Sequence, residues 1–119
     1  MLLIAHVLVA LVALLHLYFL VLEMFLWTRP LGRKTFGLTE AFANESRALA
    51  ANQGLYNGFL VAGLVWGLWL GTAGLPQKVF FLGCVIVAGL FGGATVSKRI
   101  VVVQALPAAI ALALVLATH

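Results

Sequence analysis

The feature that most constrains this chain is the apolar run at residues 2–27, interrupted only by His6, His16 and Glu23. Three further apolar stretches follow, at residues 48–70, 79–96 and 100–118. A spanning helix needs ~20 apolar residues, and each stretch lies within the usual range of that length. A membrane β-barrel would instead show ~10-residue segments of alternating polarity. No such pattern is present. The first stretch lacks a basic start and runs too long for a cleaved signal peptide. The expected fold is all-α, a four-transmembrane-helix bundle forming one integral membrane domain over residues 1–119.

Composition agrees. Of 119 residues 65% are hydrophobic and 8% charged, against about 25% charged in an average soluble domain. Ten charged side chains, seven Lys or Arg and three Glu, cannot cover the surface of a water-soluble monomer. The mean hydropathy of +1.19 points to the bilayer. The single cysteine, Cys84, excludes an intramolecular disulfide framework and a cysteine-based zinc site. The basic residues fall between the apolar runs, where they act as topology signals, so no nucleic-acid partner is expected.

With four spans, both termini and the 74–78 connection share one side, which holds only Lys78. The other side holds Arg29, Arg33, Lys34 and Arg47 in one loop and Lys98 and Arg99 in the next. That bias places residues 28–47 and 98–99 in the cytoplasm and both termini outside, in a multi-pass protein of the bacterial inner membrane. Trp27 with Thr28-Arg29-Pro30 reads as an interfacial anchor and helix stop. Thr39 is the candidate N-cap of a helix that runs on from Glu40 into the second span. Before it, Phe36, Leu38 and Phe42 are placed to dip into the headgroup region while Arg33, Lys34 and Arg47 face anionic lipid. Lys98-Arg99 is expected in a tight turn, and Pro107 is expected to kink the fourth helix.

Small residues recur at helical spacing. Gly54, Gly58 and Ala62 share one face of the second span, and Gly63, Gly67 and Gly71 another. Gly89, Gly93 and Ser97, with Gly92 beside them, mark the third. Such ladders let helix backbones approach closely in lipid. Two ladders on one helix leave a face for a homo-oligomer.

Polar residues are expensive in lipid, and so they are the informative ones. His16 and Glu23, seven apart, fall on one face of the first span about 10 Å apart along its axis. The second span opens with Asn52, Gln53, Tyr56 and Asn57, paired at four-residue spacing. Thr95 and Ser97 end the third span, and Gln104 sits one turn into the fourth. With the orientation above, all of these lie in the cytoplasmic half or near the midplane. The outer halves hold little but His6, Cys84 and terminal threonines. A one-sided constellation reads as a pocket open to the cytoplasm or inner leaflet, because a conducting path needs polar groups on both sides. The plain alternatives are packing hydrogen bonds for Gln53 and Asn57, a satisfied core histidine at His16, an interfacial ion pair at Glu23 and an interfacial aromatic at Tyr56.

The strings His16-Leu17-Tyr18, Leu22-Glu23-Met24-Phe25 with Trp27, Phe36-Gly37-Leu38, and Ala51-Asn52-Gln53-Gly54-Leu55-Tyr56-Asn57-Gly58-Phe59-Leu60 resemble a bacterial integral-membrane family designated domain of unknown function 1304. The resemblance covers nearly the whole chain and implies a four-helix fold without an established activity. A weaker similarity is to small membrane isomerases, styrene oxide isomerase and hydroxylaminobenzene mutase, through Gly54, Asn57 and Gly58. It implies Asn57 as a substrate contact. The histidine that opens the isomerase string and binds haem has no counterpart, since Ala51 or Asn52 stands near its place.

Three functions compete. The first is an intramembrane binder or isomerase acting on a small apolar molecule. His16 and Glu23 would be its catalytic acid and base, and Asn52, Gln53, Tyr56, Asn57 and Gln104 would hold the substrate. The second is a proton-coupled small-molecule exporter. The third is a structural or regulatory membrane subunit. No metal site and no cofactor are expected; haem stays open because His16 and Glu23 could ligate. The expected partners are the lipid bilayer, a small apolar ligand and a second copy of the chain.

Overall fold

Helix formers fill this chain, and the breaks fall where proline and glycine demand them. The computed structural model describes residues 1–119 and is all-helical. Helix α1 runs Leu2–Met24, α2 Pro30–Phe36, α3 Glu40–Trp69, α4 Leu75–Thr95 and α5 Leu106–Thr118. A 3-10 turn, Gly71–Gly74, precedes α4, and a π turn, Val101–Ala105, precedes α5. Three stretches are long and apolar enough to cross a membrane, Leu2–Met24, Gly71–Thr95 and Val101–Thr118. Helix α3 is longer than any of these, but Asn52, Gln53 and Asn57 make its uncharged part, residues 48–69, less apolar.

The chain forms two compact units, residues 1–14 with 62–119 and residues 15–61. In the first, Ala5, Val9 and Val12 of α1, Leu64 of α3, Leu82 and Val85 of α4, and Ala108, Ala111 and Val115 of α5 are buried. Small residues bring the helices together. A Cβ at Gly89 would collide with the Ala105 backbone, and Gly92 and Gly93 lie against Ile100 and Val101. Gly63 packs on the Phe81 ring, and Gly67 on the stem of Lys78. The turn between α4 and the π segment is closed by the Val96 and Ser97 amides, which both donate to the Gly92 carbonyl. Lys98 sits in that turn, while Arg99 already belongs to the following helix.

The π turn lies directly before Pro107. Proline offers no N–H, and its ring collides with the carbonyl four residues back. Widening the preceding turn, with the Leu106 amide bonded to the Val101 carbonyl, makes room for that ring.

In the second unit α1 ends at Met24, where the Phe25 and Leu26 amides converge on the Val21 carbonyl. Arg29 is extended before Pro30, which opens α2, and Gly37 closes α2 in the left-handed conformation (φ 66°). Gly32 is tight against the Leu26 carbonyl, where no side chain fits. Thr39 caps α3, its Oγ1 accepting from the Phe42 amide at 3.1 Å. The connector is fastened by Trp27. Its indole donates to Ser46 Oγ at 3.0 Å and lies 5.0 Å from the Phe36 ring. Helix α3 then continues without a break through Ala48 to Trp69.

Candidate functional site

Two polar constellations are built from these helices, one in each unit. In the second unit Glu23 stands in the last turn of α1, and Asn57 stands midway along α3. The glycines around Asn57 set the approach. A Cβ at Gly54 would meet Met24 and the Glu23 stem, and one at Gly58 would touch Leu20. With no side chain at either position, Asn57 Nδ2 donates to Glu23 Oε1 at 2.5 Å. Asn57 is only 6% exposed. A buried amide must find a partner, and the Glu23 carboxyl oxygen is the one it meets.

The other expected site residues are placed differently. His16 is fully buried on α1, with its ring edge-on to Phe19 at 5.4 Å. Asn52, Gln53 and Tyr56 are exposed on α3, and the Tyr56 ring lies 5.9 Å from that of Phe59. Gln104 is half-buried in the π turn of the first unit. The structure thus brings Glu23 and Asn57 into direct contact and leaves three of the expected substrate contacts on the outer face of α3. An open, apolar groove of about 700 Å³ runs along α4 between Val79, Phe80, Gly83, Cys84, Val87 and Phe91, and none of the expected residues lines it. No three His, Cys, Asp or Glu side chains converge as metal ligands would.

The first unit holds a constellation that sequence reading missed. Lys78, expected in an outer loop, is instead fully buried in the first turn of α4. The reason is Pro76. A proline in the first helical turn gives up an amide that has no helical partner, so α4 starts at Leu75 and takes Lys78 with it. Lys78 Nζ reaches the Gly71 carbonyl at 2.5 Å, His6 Nε2 at 3.0 Å and His119 Nε2 at 2.8 Å. The two imidazoles meet edge to face at 5.2 Å. No carboxylate is among these partners, and the unit contains no Asp or Glu. The available signal was the proline two residues ahead of a lysine in a segment without acids.

The profile of the family described as protein of unknown function (DUF1304) matches residues 10–116. An uncharacterised protein of Lactococcus lactis, YpaA, is similar, at 31% identity over 96 residues that cover 79% of this chain and 81% of that protein. No solved structure matches.

Proposed function

This chain belongs to the DUF1304 family of proteins of unknown function, and we propose that it binds a small apolar molecule at the Glu23–Asn57 pair within the bacterial plasma membrane. The hydrogen bond between these two side chains carries the reading. An ionisable group within a spanning helix is costly and marks a functional site by default. The bond leaves Asn57 its second N–H and its carbonyl, and leaves Glu23 its Oε2, to meet a ligand's hydroxyl, carbonyl or amine. Asn52, Gln53 and Tyr56, on the exposed face of α3, lie apart from this pair. Glu23 and His16 are the groups able to move a proton, and isomerisation is the chemistry that needs no nucleotide or redox partner.

Four spans belong to this proposal. Helix α3, 30 residues long, extends about 45 Å, more than the ~30 Å of hydrocarbon. Its segment 48–69 is the fourth span, and its charged first turns lie at the surface. With Lys78 inside α4, the six remaining basic side chains all fall in the 28–47 and 98–99 connections, which favours a cytoplasmic place for both and outer termini.

The test uses Glu23→Gln and Asn57→Leu in the purified full chain, with mass spectrometry of the apolar molecules that co-purify. Thermal stability in detergent should be kept in both variants, and the co-purifying molecule should be lost. Destabilisation of both with unchanged ligand content would instead mean a packing contact, since stranding a buried polar partner costs ~1–3 kcal/mol. If Glu23→Gln alone removed pH-dependent transport in proteoliposomes, the exporter reading would replace this one.

A further inference from the structure

Lys78 is a fully buried amine whose partners come from three other segments, and its hydrogen-bond arithmetic is closed. An ammonium has three N–H donors and no acceptor. Its three partners are the Gly71 carbonyl, His6 Nε2 and His119 Nε2. With Lys78 charged, each imidazole accepts through Nε2 and is neutral, with its proton on Nδ1. For His119 the tautomer is fixed by its neighbours. Thr118 Oγ1 donates its one proton to the Leu114 carbonyl at 2.7 Å, so toward His119 Nδ1, at 3.0 Å, it can only accept. The Nδ1 proton is thereby required. A directional chain runs from Lys78 through the imidazole and the Thr118 hydroxyl to the Leu114 carbonyl.

We propose that Lys78, His6 and His119 form a proton-operated latch, which holds the C-terminal end of α5 and the first turns of α1 onto the start of α4. Protonating an imidazole at Nε2 turns its acceptor into a donor. It loses the bond to Lys78 and sets a second positive charge against the first. No Asp or Glu side chain of this unit is there to compensate, and the one carboxylate carried close by is the backbone α-carboxylate of His119 itself. From α1 the cluster faces His6 alone, from α5 His119 alone, and from the 3-10 turn a backbone carbonyl. Helix α3 brings Gly67 against the Lys78 stem, and its residues 62–69 in this unit carry no titratable side chain. Met1, with its amino group, is exposed. Burial first, then the charge of Lys78, holds His119 below its ordinary value of 6.5, with His6 adding to the effect and the Val115 backbone bond opposing it. A base depressed in this way contributes its full stabilisation above 6.5 and loses it as the pH falls below that value. The latch is closed at neutral pH and opens in acid.

A spin label at Ala117, placed through Ala117→Cys in a Cys84→Ala chain, reads the end of α5 directly. In detergent-solubilised full chain the label should be immobile at about pH 8 and mobile at about pH 5, where imidazoles charge. Through the transition the open-to-closed ratio should rise about tenfold per pH unit for each proton taken up. Asparagine accepts a hydrogen bond without titrating, so the double variant His6→Asn, His119→Asn should hold the label immobile at both pH values. A label unchanged across the range in the wild-type background would overturn the latch. So would a transition that persists in the double variant, or a His119 imidazole that titrates by NMR above 6.5. Lys78→Met should leave the label mobile throughout. If that variant fails to fold, the wild-type titration and the double variant still decide.

Discussion

At the scale of single residues, this protein is governed by what its glycines allow and what its few polar atoms require. Lys78 and Asn57 are buried polar side chains, and each is satisfied by partners that arrive from other helices. Burying Lys78 without a partner would cost several kcal/mol, so its contacts specify which helix faces meet. The glycines differ sharply in what surrounds them. A Cβ at Gly89 would sit 2.7 Å from the Ala105 backbone nitrogen, whereas at Gly83 nothing lies within 4 Å. Gly89→Ala should therefore destabilise the chain by ~1–3 kcal/mol, the usual cost of overpacking. Gly83→Ala, in an open helical position, should leave stability unchanged or raise it by up to about 1 kcal/mol. Thermal melting of both variants in the same detergent checks the pair, and equal losses would mean that α4 and the π turn do not pack so closely.

At the scale of elements, local signals do most of the work. Pro30, Gly37, Thr39 and Pro76 mark helix boundaries for reasons of backbone chemistry alone, and Pro107 sets the π turn before α5. The cap at Thr39 matters because α3 begins there with a bare backbone amide at Phe42. Thr39→Ala should cost about 1 kcal/mol and fray the first turn of α3, while Thr39→Ser should not. Amide hydrogen exchange at residues 41–43 reads this directly, and protection unchanged in the alanine variant would show that the cap is idle. Glycine ladders on α3 are engaged within the chain. Gly54 and Gly58 receive α1, and Gly63 and Gly67 receive α4. A homo-oligomer built on those ladders would have to displace these contacts.

At the scale of the whole molecule, surface and interior are reversed relative to a soluble protein. Trp69 is 87% exposed and Phe91 69%, while the buried set is rich in alanine and glycine and includes His16, Asn57 and Lys78. Exposed apolar surface of this extent needs an apolar solvent. The charge bias favours the proposed orientation, with both termini outside. A cysteine at position 72, in a Cys84→Ala chain, should react with an impermeant thiol reagent added outside the cell, and one at position 34 should not; the reverse pattern would invert the topology. Helical class, membrane character and the Thr39 cap were determined by sequence, because each depends on local backbone chemistry or on apolar length, whereas the first helix ends at Met24, three residues before the stop expected at Trp27. The pairing of Glu23 with Asn57 was half legible. Their residue types and faces could be read, but their contact depends on Gly54 and Gly58 letting two backbones close. Lys78 with His6 and His119 was decided by tertiary structure alone. Those residues are 72 and 41 positions apart along the chain, and no periodicity links them. They meet because an amine removed from water must find hydrogen-bond partners, and only the folded helices supply them.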